Sequence, residues 1–106
     1  MTADAPVWPD QLYDCLRALN VTIFGHVPDS GHKVLINRAG ADPAATSIGL
    51  TIESEGIGLI TGAHLGGQRA VLAMQSSSVG NCINLLSLIQ IAQIPFVALV
   101  SMRGDF

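Results

Sequence analysis

The sequence predicts an α/β fold of three layers, in which a mainly parallel sheet lies between two layers of helices. Helical and strand-like segments alternate along the 106 residues, and this alternation is typical of a parallel sheet covered by helices. The strand-like segments are short, apolar and rich in β-branched residues, as expected of strands buried on both faces. A chain of this length holds one small domain.

The first half of the chain contains two helices and two strands. A helix opens at Pro9 and Asp10, followed by apolar residues at helical spacing. Residues 21–25 form the first strand, and a polar loop at 26–31 follows it directly. The next elements are a helix from about His32 to Gly40 and a second strand at 45–52.

The second half repeats the alternation. A third helix spans 53–65 and ends at Gly66-Gly67, since glycine commonly terminates helices. The remaining elements are a third strand at 70–74, a long apolar helix at about 79–92 and a fourth strand at 96–101. The last strand is apolar almost throughout, yet no covering helix follows it. We therefore expect a domain truncated at its C-terminus, or cover from another chain.

Composition narrows the function. The chain has 5 basic and 8 acidic residues and no basic stripe, so we expect no binding to nucleic acid. The N-terminus lacks the blocks of a signal peptide, and the longest apolar run, 94–100, is too short to span a bilayer. These features predict a cytoplasmic protein without a membrane segment. Because only 12% of the residues are charged, we also expect a partner chain to cover part of the surface.

Cysteine and histidine spacing indicates no metal site on this chain. Cys15 and Cys82 belong to no metal or redox motif and are expected to be reduced, buried thiols. The three histidines, His26, His32 and His64, likewise lack the spacing of metal ligands.

Three predicted loops leave the carboxyl ends of strands, where open α/β sheets bind ligands. They cover 26–31, 51–53 and 75–80, and the second carries Glu53, which with Glu55 makes up the glutamates of the chain. One interpretation is that both carboxylates complement the helix dipole, which stabilises a helix by roughly 0.3–1 kcal/mol.

Glycines in the third helix favour a further role for this region. Gly56, Gly58 and Gly62 each cost about 1 kcal/mol relative to alanine in a helix. Such a helix is expected to pack closely against a bound ligand or a partner helix. The glycine spacing does not match a dinucleotide fingerprint, and neither a P-loop nor a serine-hydrolase elbow is present.

Three segments occur in the same order in one enzyme family. They are Gly25-His26-Val27-Pro28-Asp29, Thr51-Ile52-Glu53-Ser54-Glu55-Gly56-Ile57-Gly58 and Met74-Gln75-Ser76-Ser77-Ser78-Val79-Gly80-Asn81-Cys82-Ile83-Asn84. With these, the chain resembles the alpha subunit of sulfopyruvate decarboxylase and the N-terminal domain of phosphonopyruvate decarboxylase. The ending Val100-Ser101-Met102-Arg103-Gly104-Asp105 is similar to the same family.

The resemblance implies that residues 1–106 are the pyrimidine-binding domain of a thiamine diphosphate-dependent 2-oxoacid decarboxylase. Its substrate is sulfopyruvate or phosphonopyruvate, and its products are the aldehyde and CO₂. A beta subunit carries the pyrophosphate-binding domain and holds most of the contacts to Mg²⁺, through a Gly-Asp-Gly…Asn motif that this sequence lacks. Activity therefore requires both chains, and the isolated chain is expected to form a homodimer through the same face.

The resemblance also implies site residues. The catalytic glutamate of the family lies nine residues before a glycine, which selects Glu53 (before Gly62), with Glu55 as the alternative. A half-buried carboxyl with a raised pKa, bonded to N1′ of the aminopyrimidine, suits the proton exchange required there. The further residues implied at the cofactor are Gln75, Ser76 and Asn81.

Substrate contacts are implied in the loops at the same edge, at Asp29, His26, Ser30, His32, Gln75 and Arg103. For His32, an exposed position at the start of a helix is an equal alternative. Arg103 either binds the second anionic group of the substrate or bridges subunits. Other functions left open are a non-catalytic or regulatory remnant and another thiamine-dependent lyase or transferase. Nothing in the sequence separates a sulfonate from a phosphonate substrate.

Overall fold

The computed structural model describes residues 7–27 and 32–102, and these ranges fold as alternating helices and strands. The helices and strands, in chain order, are α1 (Trp8–Ala18), β1 (Val21–His26), α2 (Lys33–Ala41), β2 (Thr46–Gly49), α3 (Ser54–Leu65), β3 (Arg69–Gln75), a 3₁₀-helix (Ser76–Cys82), α4 (Ile83–Ala92) and β4 (Ala98–Ser101).

Within the described ranges the strands form one four-stranded sheet in the order β2-β1-β3-β4, and every neighbouring pair is parallel. The α/β fold with a parallel sheet is therefore confirmed. Parallel strands bring their carboxyl ends to one edge, so the residues that leave β1, β2 and β3 lie together there. Those ends are His26, Gly49 and Gln75.

Helices cover both faces of the sheet, which gives the predicted three layers. On one face, α1 and α2 bury Tyr13, Leu16 and Leu35 against β1 and β3. On the other face, α3 and α4 pack over Leu72 and Met74. The full set buried on this second face is Ile57, Ile60, Leu72, Met74, Cys82 and Ile94. Each layer is thus held by its own apolar cluster.

A polar cluster joins α1 to the end of α2. The hydroxyl of Tyr13 donates to Oδ2 of Asp42 at 2.6 Å, and Nε of Arg17 donates to the same oxygen at 3.1 Å. Burial and the bond to Asp42 raise the pKa of Tyr13 to about 12. The guanidinium of Arg38 lies 4.6 Å above the Tyr13 ring. These contacts keep α1 and α2 together on the face away from α3.

Glycines let α3 approach the sheet. A Cβ added at Gly56 would overlap Cδ1 of Leu72 and lie 2.6 Å from its Cδ2. Nothing lies within 4 Å of a Cβ added at Gly58 or Gly62, both on the exposed side of the helix. Gly56 therefore lets α3 pack closely against β3 of the same chain. The expected contact of this helix with a ligand or a partner helix stays a prediction for Gly58 and Gly62, whose outer side is open.

Two elements differ from their predicted bounds. The second strand covers four residues, Thr46–Gly49, instead of 45–52. The apolar helix predicted at about 79–92 begins as the 3₁₀-helix Ser76–Cys82 and becomes α-helical at Ile83. The segment carries three serines, a residue type that tends to compete for backbone hydrogen bonds, and the flexible Gly80; both disfavour a regular α-helix.

The outer side of α4 is apolar and uncovered. We call Ile83, Leu85, Leu88 and Ile91 the α4 face; Ile83 is 64% exposed and Ile91 is 81% exposed. None of the ten residues of α4 is fully buried, although Leu86 and Ile89 pack toward the sheet. Four large apolar side chains on one short helix are the kind of surface that another protein covers.

Both cysteines are free thiols, but Cys15 is exposed, so the expectation that both are buried is wrong for this one. It lies on the outer side of α1, between the buried positions Tyr13 and Leu16. In the part of the chain that the structure describes, no helix combines the length and apolar character needed to cross a bilayer. The cytoplasmic location stays a prediction.

Candidate functional site

Glu53 lies immediately before α3, at the carboxyl edge of the sheet, and its side chain is buried. Only 5% of the residue is exposed. Nδ2 of Asn81, 28 positions later in the chain, donates a hydrogen bond to Oε1 of Glu53 at 2.9 Å. Ser78, on the same 3₁₀-helix as Asn81, also bonds to this carboxylate. The structure thus brings together two of the predicted cofactor residues, Glu53 and Asn81.

The pKa of Glu53 lies below its ordinary value, so the predicted raised pKa is wrong. Burial raises the pKa of Glu53, as the prediction assumed. Hydrogen bonds from Asn81, from the backbone of Glu53 itself and from Ser78 outweigh it. Because these donors stabilise the charged form, Glu53 is an ionised carboxylate in a buried position.

Cys82 forms part of the apolar layer next to this carboxylate. It is 1% exposed and belongs to the cluster beneath α3 and α4. Burial raises the pKa of its thiol, and the negative charge of Glu53 raises it further. The thiol is consequently neutral and serves as a small apolar group beside the carboxylate.

Glu55 has a different environment. Its Oε1 accepts hydrogen bonds from the backbone N–H groups of Thr51 (2.8 Å) and Ile52 (3.1 Å), and the residue is exposed. This is the contact of a residue that closes the turn before a helix, similar in kind to a capping box. Of the two glutamates, Glu55 fits the interpretation of a helix-start residue, whereas the burial of Glu53 requires another explanation.

His26 ends β1 on the opposite face of the sheet from α3. It pairs in register with Ala73, whose side chain belongs to the core under α1 and α2. Its Nε2 lies 3.1 Å from the Ser47 hydroxyl, and its Nδ1 is buried without a hydrogen-bond partner among the described residues. Burial lowers the pKa of His26, so the ring is neutral. A neutral imidazole attracts an anionic substrate less than the positive one would.

His32 is buried, so the alternative of an exposed helix start is wrong. It is 8% exposed, and its Nε2 lies 3.0 Å from the carbonyl oxygen of Met74. A carbonyl only accepts, so Nε2 is the protonated nitrogen in this contact. The bond ties the start of α2 to the end of β3, and the predicted substrate contact gains no support from it.

The remaining predicted residues divide into two groups. Gln75 ends β3 and Ser76 begins the 3₁₀-helix, and both are partly buried at the carboxyl edge. Asp29, Ser30 and Arg103 lie outside the described residues. The cofactor and substrate roles of all five stay predictions.

Two polar contacts at this edge were not singled out from the sequence. Ser78 bonds to Glu53, and Ser47 of β2 bonds to His26. The serine run 76–78 signalled a polar loop, but only the fold shows which serine faces the carboxylate. The sequence around Ser47 does not predict its contact with His26, because its pattern is that of an ordinary strand.

No family model matches the chain. The chain is, however, 37% identical over 97 residues to the sulfopyruvate decarboxylase subunit alpha of Methanococcus maripaludis, a match that covers 91% of this chain and 58% of that subunit. The predicted resemblance is confirmed. The subunit of the same name from Methanocaldococcus jannaschii is 35% identical, over 89% of this chain and 56% of its own length.

The phosphonopyruvate decarboxylase of Streptomyces viridochromogenes is 40% identical over 90 residues, which are 84% of this chain and 23% of that enzyme. The chain thus spans about half the length of these alpha subunits, and less of the phosphonopyruvate enzyme.

Proposed function

We propose that this chain is part of the alpha subunit of a thiamine diphosphate-dependent decarboxylase that converts sulfopyruvate or phosphonopyruvate to the aldehyde and CO₂. The observation that carries the proposal is the buried carboxylate of Glu53, held by Asn81 at the carboxyl edge of the sheet. The names of the relatives support the reaction, and they favour it over a non-catalytic remnant.

The described residues fit the aminopyrimidine of thiamine diphosphate. A buried, ionised carboxylate is an acceptor that could share a proton with N1′, and burial protects this exchange from competing water. Gln75 ends β3, and Ser76 follows it at the same edge of the sheet. Both would add polar groups for the ring. When bound, thiamine diphosphate would supply the electron sink that decarboxylation of a 2-oxoacid needs.

A beta subunit is the proposed partner, and it would hold the pyrophosphate and Mg²⁺. The word "alpha" in the names of the relatives implies such a partner for them. In this chain, the α4 face offers an apolar surface for docking, since Ile83 and Ile91 are mostly exposed. The 3₁₀-helix that carries Asn81 runs directly into α4, so a partner on this face would lie next to the Glu53 site.

The test is CO₂ release from sulfopyruvate and phosphonopyruvate, in the presence of thiamine diphosphate and Mg²⁺. Three samples are compared: the chain alone, the chain with the proposed beta subunit, and that beta subunit alone as the control. Turnover only with both chains supports the proposal and identifies the substrate. A stable complex that is inactive on both substrates would overturn it in favour of a remnant or another thiamine enzyme.

A further inference from the structure

The contact between Asn81 and Glu53 joins two separate parts of the chain. Glu53 precedes α3, and Asn81 is the penultimate residue of the 3₁₀-helix after β3. Asn81 is an exposed residue, yet its amide bonds to the buried carboxylate, with 2.9 Å between Nδ2 and Oε1. Because a carboxylate oxygen only accepts, the amide nitrogen must face it, and this orientation of Asn81 is fixed by chemistry.

We propose that Asn81 is a positioning residue for Glu53. The side-chain amide of Asn81 orients the carboxylate of Glu53 before any ligand binds. The resemblance to known enzymes assigns Asn81 only a general place at the cofactor. The inference rests on the proposed function insofar as that function makes Glu53 the catalytic residue. The contact itself is independent of which reaction the site performs.

A buried carboxylate needs hydrogen-bond donors. The groups around Glu53 show which donor connects its carboxylate to another element of the fold. The backbone of Glu53 is local to the residue, so it cannot tie the carboxylate to another element. Ser78 and Asn81 come from the 3₁₀-helix, and Cys82 contributes a neutral thiol. Glu55 faces the backbone of Thr51 and Ile52 instead.

Asn81 supplies a side-chain hydrogen bond of 2.9 Å, from its Nδ2 to Oε1 of Glu53. Among the described residues, no arginine, lysine or histidine contributes to lowering the pKa of Glu53. Hydrogen bonding rather than a cation therefore holds the carboxylate in its charged form, and Asn81 is the largest of the hydrogen-bond contributions.

The sequence permits a direct experiment on the cofactor-free chain. Glu53 and Glu55 are its two glutamates, so ¹³C-glutamate labelling gives two side-chain carboxyl resonances to follow by NMR during a pH titration. We expect Asn81→Ala to raise the pKa of Glu53 by about one unit and to leave the Glu55 resonance unchanged. Asn84→Ala, one turn further along and exposed, is the matched control and should change neither resonance.

Asn81→Asp keeps the shape of the side chain and is the second variant, in case the alanine variant folds poorly. It replaces a donor by a second acid, so the two carboxyl groups share a proton and their upper apparent pKa rises further. A Glu53 pKa that is the same in the parent chain, Asn81→Ala and Asn81→Asp would overturn the inference.

The outcome is separable from that of the proposed function. If Asn81→Ala shifts the pKa of Glu53 but the parent complex releases no CO₂, the positioning role of Asn81 is supported and the proposed decarboxylase function is overturned. In an active complex, Asn81→Ala should shift the acid limb of the pH–rate profile to higher pH, because Glu53 then stays protonated up to a higher pH. A loss of activity with an unmoved acid limb would indicate a purely structural role and contradict the inference.

Discussion

At the scale of single residues, the two glutamates near the start of α3 have separable roles. Glu53→Gln removes the charge but keeps the shape, so we expect CO₂ release by the two-chain complex to fall by at least about a hundredfold, as for loss of a general acid–base group. Cofactor binding, measured by calorimetry on the same complex, should remain close to that of the parent.

Glu55→Gln is the matched control, since its amide oxygen can still accept from the backbone of Thr51 and Ile52. We expect near-parent turnover and a small loss of stability. If Glu55→Gln were inactive and Glu53→Gln active, the assignment of the catalytic carboxylate would be reversed.

The sequence located the site but not its electrostatics. Glu53 could be placed at a strand end from the order of elements, and the resemblance selected it over Glu55. The direction of its pKa shift could not be predicted, because the decisive donors, Asn81 and Ser78, are more than two dozen residues away. The burial of His32 could not be predicted for the same reason, since its partner is the carbonyl of Met74, 42 positions along the chain.

At the scale of elements, replacing a glycine of α3 by alanine should have opposite effects on stability at two positions. Gly56→Ala places a methyl group against Leu72, which is fully buried in β3, so we expect a loss of about 1–3 kcal/mol in the free energy of unfolding. Gly62→Ala meets open space and should stabilise the isolated chain by up to about 1 kcal/mol. Urea denaturation followed by circular dichroism measures both.

Gly58→Ala serves as a second control on the open side of α3, and it should behave like Gly62→Ala. Equal stability for Gly56→Ala and the parent chain would mean that α3 does not pack on β3 as described.

The end of α4 offers a separate stability test. Gln93 has φ of 54°, in the left-handed region, and the N–H of Ile94 bonds back to the carbonyl of Ile89 at 3.0 Å. This is a Schellman-type end, in which glycine is favoured because it has no Cβ. Gln93→Gly should therefore raise the free energy of unfolding by about 0.5–1 kcal/mol, while Gln90→Gly, inside the helix, should lower it by a similar amount. Destabilisation by Gln93→Gly in the same denaturation assay would contradict this account.

Helices and strands could be predicted where a single local pattern dominated. The spacing of apolar residues gave α1, and the Gly66-Gly67 pair marked the end of α3, where Gly67 adopts φ of 81°. The segment 76–82 was harder, because apolar periodicity runs into it from α4 while its serines and glycine favour a tighter 3₁₀ turn. Such competition between local preferences is resolved only by packing.

At the scale of the whole molecule, the alternation of elements predicted a parallel three-layer fold, and the sheet order β2-β1-β3-β4 agrees with it. The low content of charge also predicted that a partner covers part of the surface, but not where. Residue type alone does not distinguish the buried Ile57 of α3 from the exposed Ile91 of α4. That distinction depends on how each helix is rotated toward the sheet.

The α4 face gives the prediction that belongs to this scale. Ile91 is 81% exposed in the single chain, so Ile91→Lys places its charge in water and should leave the fold and thermal stability nearly unchanged. If the beta subunit covers this face, the same charge must be buried on association, and binding should weaken by at least about tenfold. The affinity of the two chains, measured by calorimetry, and the CO₂ release of the mixture should fall together.

Val34→Lys is the matched control for the α4 face. Val34 is also exposed, at 39%, but it lies on α2 in the opposite helical layer. Its substitution should leave the affinity unchanged, because a partner seated on α4 does not reach it. If Val34→Lys weakened the complex and Ile91→Lys did not, the beta subunit would dock on the α1–α2 layer. Asn81 would then be distant from the interface, and the proposed proximity of the partner to Glu53 would be lost.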